Sequence, residues 1–139
     1  MKVVVSAYQA GQTPEQNAKA TAALIVQLAG TDYKFSLVQG VFNGTNETSL
    51  LVSGFTRVKE MLGFAAKLCK AYKQESVYVE IAGEASLLDE DGRMRTIGTE
   101  SEYSAALVNS PAFRRTYRSF TLMRDGSAFV AHTALELAA

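Results

Sequence analysis

The chain has 139 residues, 47% of them hydrophobic, enough for one globular domain with a sizeable core. Lys and Arg number 14 and Asp and Glu number 14, and the resulting zero net charge excludes broad electrostatic binding to nucleic acid or an acidic DNA mimic. The single cysteine, Cys69, excludes an internal disulfide framework, and no apolar run approaches the roughly 20 residues of a membrane helix. A cytoplasmic protein with no membrane or nucleic-acid partner is expected.

Val3 to Tyr8 (VVVSAY) is β-branched and apolar without clean alternation, the pattern of a covered strand. The small Ser6 and Ala7 at its end admit close approach of a ligand or another backbone. After a turn at Gln9 to Gln12, Thr13-Pro14-Glu15-Gln16 predicts a helix start. Thr13 caps it, Pro14 sits where its missing N–H costs nothing, and Gln16 closes a capping box. Ala20, Leu24 and Leu28 recur at four-residue spacing until Gly30, and the first turn places Glu15 and Asn17 in solvent. Tyr33, Phe35 and Leu37 alternate with Lys34 and Ser36, which predicts a strand with one buried face.

The stretch Gln39 to Ser53 reads as a β-hairpin, because apolar runs bracket the turn Asn43-Gly44-Thr45-Asn46. Glu47 opens the return strand. A carboxylate at a loop end held by rigid strands suits a binding or catalytic site, but the same pattern fits a solvated edge charge that discourages aggregation. Val58, Met61, Leu62, Ala65, Leu68, Cys69 and Tyr72 then mark an apolar helix face, with Cys69 as packing rather than nucleophile. Val77, Val79 and Ile81 alternate with Tyr78 and Glu80 as a further strand.

Strand, helix, strand, strand, helix, strand is the order of the split βαβ arrangement. The expected fold is therefore α+β: a ferredoxin-like two-layer sandwich with both helices on one face of an antiparallel sheet. The last third predicts a hairpin turning at Asp91-Gly92, a short helix within Glu100 to Val108, and a hairpin turning at Asp125-Gly126. Tyr78, Met123 and Phe129 are apolar members of the face opposite the helices, and covering them calls for a closed homo-oligomer.

Chemistry-bearing motifs are sparse. There is no glycine-rich phosphate loop, dinucleotide fingerprint or nucleophile elbow, and one Cys with one His cannot make an ordinary zinc site. His132, the only imidazole, reads as structural from its strand position. No metal or cofactor is expected, and a site here has only carboxylates, hydroxyls, amides and backbone.

Four pieces in order carry a family resemblance: Val5-Ser6-Ala7-Tyr8 ending the first strand, Glu15 and Asn17 after it, a glycine-containing hairpin delivering Glu47, and the helix-to-strand passage from Ala66 to Val79. Together, over roughly residues 3–82, they resemble the small phage-encoded S-adenosylmethionine lyases, formerly described as hydrolases. The resemblance implies PII-like subunits in a homotrimer with substrate clefts between neighbours. It also implies cleavage of S-adenosylmethionine to methylthioadenosine and homoserine lactone without metal or cofactor, acting against host methylation and restriction. It makes Glu47 the catalytic candidate, with Ser6, Ala7, Tyr8, Gln9, Phe42, Asn43 and Asn46 as substrate-binding candidates. Phe42 stands where a tyrosine is expected beside the carboxylate, leaving Tyr8 or Tyr33 to supply a hydroxyl. The competing reading is a non-catalytic oligomeric module that binds a nucleotide or a partner protein.

Overall fold

The computed structural model describes residues 1–42 and 45–132, the side chain of Phe42 excepted. The first six elements follow the expected order: β1 (Lys2–Ser6), α1 (Pro14–Ala29), β2 (Lys34–Phe42), β3 (Thr45–Ser53), α2 (Val58–Ala71) and β4 (Val77–Ile81). After them come β5 (Glu84–Leu88), β6 (Met94–Tyr103), α3 (Ala105–Val108), α4 (Pro111–Thr116), β7 (Ser119–Leu122) and β8 (Ala128–His132).

The two-layer sandwich expected from the sequence is overturned. β1 does pair antiparallel with both β3 and β4, but the sheet does not stop there. β2 continues into β7, and β4 into β5, until all eight strands close as an antiparallel barrel in the order β1-β3-β2-β7-β8-β6-β5-β4. The physical reason lies in the last third of the chain, whose strands abolish both edges of the sheet instead of forming a separate layer. The face carrying Tyr78 and Phe129 thus turns into the barrel, where the two rings lie 5.8 Å apart. Cover for that face comes from the chain itself, so the sequence argument for an oligomer loses its premise.

Outside the barrel, α1 and α2 share one apolar cluster with alternate residues of β1, β3 and β4. Leu24, Leu28, Met61 and Leu68 are each at most 1% exposed against Val3, Val5, Leu50 and Val79. Each such aliphatic chain contributes about 1.5–3 kcal/mol of burial. The α1 cap forms as expected: Thr13 Oγ1 accepts from the Gln16 amide at 3.1 Å, while Gln16 Oε1 accepts from the Thr13 amide at 2.9 Å. A second cluster, built on Val108, Phe113, Phe120 and Val130, lies beneath the short α3 and α4.

Two local expectations are corrected, and one turn is new. Glu100 to Tyr103 belongs to β6, so the helix in that region is only Ala105–Val108, capped by Ser104. Asn17 is buried, because its Oδ1 accepts from the Gln9 amide at 3.0 Å. β4 and β5 are joined by a tight turn at Ala82 (φ 51°) and Gly83 (φ 86°), a positive-φ pair that the alanine conceals from a sequence reading. Among the described residues no helix is long and apolar enough to cross a membrane.

Candidate functional site

Strand alternation decides what enters the barrel. On β1 and β3, Val3, Val5, Leu50 and Val52 face the helices, so Lys2, Val4, Ser6, Glu47, Ser49 and Leu51 face inward. The same count turns Tyr78, Leu87, Glu100, Thr121 and Phe129 inward from the remaining strands. The interior is therefore mixed, polar at its two ends and apolar between them.

At one end is a cavity of about 620 Å³, within the roughly 300–1,000 Å³ usual for small-molecule sites. Glu47 and Ser6 stand on its wall, and the Ser6 hydroxyl donates to the Glu47 carboxylate. Ser6 Oγ in turn accepts from the Tyr8 amide at 3.0 Å, which aims the hydroxyl proton at the carboxylate. Val4, Leu87, Ile97 and Phe129 supply apolar wall; Ser49, Ser119 and Thr121 add hydroxyls. Glu75 and Arg95, both exposed, mark the mouth.

The loop after β1 is fastened on two sides. Gln74 Nε2 donates to the Tyr8 carbonyl at 2.7 Å, and Asn17 holds the Gln9 amide as described above. Gln9 Nε2 also donates to the Tyr72 carbonyl at 3.3 Å. These bonds tie the end of β1 to α1 and to the segment between α2 and β4, so the Ser6 wall is rigidly placed.

The opposite end of the interior holds a paired network beside a smaller cavity of about 270 Å³, which Lys2, Leu51 and Phe129 line. Lys2 Nζ pairs with Glu100 and lies 4.1 Å from the centre of the Phe129 ring. The Tyr78 hydroxyl donates to the other Glu100 oxygen at 2.5 Å. Burial, and then this bond to the carboxylate, push the Tyr78 hydroxyl well above the usual tyrosine range. It stays protonated and committed to Glu100, and the cavity meets the ring of Tyr78 rather than its proton.

Of the residues expected at the site, the barrel brings Ser6 and Glu47 together in one cavity, with the backbone of Tyr8 beside them. Ala7 is buried in the helix-side cluster, and Gln9 serves the loop rather than the cavity wall. Asn46 is exposed and alternates with Glu47, so it lies on the outer face opposite Val41. Asn43 and the side chain of Phe42 lie outside the described residues. The Tyr8 hydroxyl reaches Thr48 Oγ1 at 3.5 Å, and Tyr33 donates to Glu60 at 2.6 Å on the helix side; neither lines the cavity. Sequence reasoning missed Tyr78, Arg95, Ser49 and Thr121, whose inward direction is set by cross-strand register alone.

His132 keeps its structural reading: its Nε2 lies 2.8 Å from the Tyr103 hydroxyl, itself 3.1 Å from that of Tyr117. Burial, and then the bond to Tyr117, push Tyr103 up to about 12. Cys69 is fully buried; desolvation, reinforced by Glu90 and Asp89, raises its thiol, so it is packing and not a nucleophile.

A cavity with one seated carboxylate, several hydroxyls and an apolar wall suits the binding of a small polar molecule with an apolar or aromatic part. No curated protein matches the chain. The model of the S-adenosylmethionine lyase family matches residues 3–132, nearly the whole length, and the chain belongs to that family of enzymes.

Proposed function

We propose that the enzyme cleaves S-adenosylmethionine to methylthioadenosine and homoserine lactone in the cavity bounded by Ser6 and Glu47. The observation that carries this reading is the pairing of a hydrogen-bonded carboxylate with an apolar aromatic wall in one cavity. In the reaction an oxygen of the substrate's own carboxylate attacks its γ-carbon. The new C–O bond closes the lactone, the Cγ–S bond breaks, and its electron pair neutralises the sulfonium. No proton moves and no water enters, so a general base is unnecessary.

The balance of charge assigns roles. A carboxylate and a sulfonium vanish together in the transition state, so a less polar, water-poor surrounding favours the transition state over the substrate. Val4, Leu87, Phe129 and the Tyr78 ring supply such a wall. A carboxylate placed against the sulfur would stabilise the substrate more than the transition state. Glu47 therefore serves best at the ribose, where its oxygens accept from the two hydroxyls while Ser6 holds it in place. Holding the chain folded for attack can supply about 7–11 kcal/mol of the barrier. The trimer that the resemblance implies rests on that resemblance, and sedimentation at micromolar protein tests it.

Product analysis in ¹⁸O-water tests the chemistry. Lactone formation followed by opening at the carbonyl puts the label in the homoserine carboxylate; direct hydrolysis at the γ-carbon puts it in the side-chain hydroxyl. Label in the hydroxyl would sink the lyase mechanism. In a cell the same reaction withdraws the methyl donor. Expression is therefore expected to lower DNA methylation, measured as gained sensitivity to a methylation-blocked endonuclease.

A further inference from the structure

Arg95 is the one cation among the described residues lining the cavity. It sits on β6 opposite Leu87, whose side chain faces the interior, and the pairing carries Arg95 to the same side. Among the described residues it is in no ion pair; Glu75 shares the mouth without reaching it. The other charges on the cavity are Glu47 and Glu75, so the lining reads as two carboxylates and one guanidinium. With Glu47 at the ribose, Arg95 is the one cation among the described residues of the cavity wall, and the substrate's carboxylate is the one anion of S-adenosylmethionine.

We infer that Arg95 reads the substrate's carboxylate and thereby sets the preference for the intact amino-acid end, an inference that rests on the lyase reading above. The guanidinium holds one carboxylate oxygen at the mouth, and the other oxygen is left to face the γ-carbon. Its planar fork fixes the direction of that oxygen, which the point charge of a lysine would not. At an exposed mouth the contact replaces water on the carboxylate instead of adding charge to a dry site. The consequence lies in binding and orientation more than in the barrier. Glu47 sits deeper on the wall and is left for the ribose.

The test compares S-adenosylmethionine with its decarboxylated form, which keeps both cations but has no nucleophile and acts as a competitive inhibitor. In Arg95→Gln, KM for S-adenosylmethionine is expected to rise about tenfold, the size of one charge-assisted contact. The inhibition constant of the decarboxylated form is expected to stay within about twofold, which also certifies an intact cavity. Arg95→Lys is expected to recover part of the KM but little of any loss in kcat. An unchanged KM in Arg95→Gln, or equal weakening of both compounds, would overturn the assignment while leaving the lyase reading in place. A wild-type protein that neither binds nor cleaves S-adenosylmethionine overturns both.

Discussion

The two ends of the barrel interior hold similar groups and use them in opposite ways. At one end Lys2, Glu100 and Tyr78 satisfy each other, with Phe129 closing over the amine. At the other, Glu47 has a single side-chain donor in Ser6, and Arg95 has no carboxylate partner among the described residues. Charges that satisfy each other hold strands together; charges left with spare hydrogen-bonding capacity beside a cavity are available to a ligand. The contrast separates structure from function among inward-facing residues that alternation alone makes look equivalent.

Glu47→Gln should break the open end alone. The variant keeps the size of the side chain and an acceptor for Ser6 but removes the charge proposed to hold the ribose. We expect kcat/KM for methylthioadenosine formation to fall at least about 100-fold, with the melting temperature close to wild type. Full activity would remove Glu47 from the site.

Glu100→Gln should do the reverse. It strands the Lys2 ammonium in a largely enclosed position, where side-chain exposures are 16% for Lys2 and 7% for Glu100. Breaking one side of such a pair costs about 3 kcal/mol, to be read from urea unfolding. Replacing both partners, Lys2→Met with Glu100→Leu, should cost much less, because no unpaired charge is left behind. A double variant as damaged as the single one would mean that the network does more than pair its own charges.

How much of this was legible beforehand follows from locality. The α1 cap is written in four consecutive residues and appears as read, and the α2 face, written in one run of apolar spacing, appears with Val58 exposed at its start and Tyr72 as its C-cap. Barrel closure is not local. Lys2, Ser6 and Glu80 alternate with apolar neighbours just as a solvent-facing strand would, because a polar interior and bulk water impose the same period of two, and Glu47 and Glu100 stand among polar neighbours that give no inward signal at all. For the same reason Arg95 looks like a surface charge until β5 and β6 are registered, and the bulge between Ala85 and Ser86 shifts that register. Ser6 and Glu47 were legible through the family resemblance and the hairpin. Their contact spans 41 residues, and only the β1–β3 pairing makes it.

Ser6→Ala sharpens the open end further. Glu47 would keep its charge but lose the donor that aims it, and the Tyr8 amide would lose its acceptor. One hydrogen bond to a charged group is worth about 1.5–3 kcal/mol, so a fall in kcat/KM of roughly tenfold or more is expected. The loss should appear mainly in kcat if Ser6 orients Glu47 and mainly in KM if the hydroxyl itself binds the ligand. An unaltered kcat/KM would show that the carboxylate needs no such support.

The smallest expected effect is an alkaline one, and it belongs to the paired end and to the aromatic cluster outside the barrel. Tyr78 is raised by burial and by its bond to Glu100, and Tyr103 is raised by burial and by Tyr117 to about 12. A tyrosine in the unfolded chain loses its proton near 10. Between that pH and the folded-state value the unfolded chain releases protons that the native state keeps. The native state then binds more protons than the unfolded one, so stability falls as pH rises. The contribution is fully present below about pH 10 and for Tyr103 is lost by about pH 12. Melting temperature should therefore be insensitive to these groups between pH 7 and 9 and decline above 10. Tyr78→Phe and Tyr103→Phe should each flatten that decline, although both start from a lower plateau because a hydrogen bond is gone. A slope above pH 10 that neither variant changes would place the alkaline sensitivity elsewhere and leave the two hydroxyls without the role their burial assigns them.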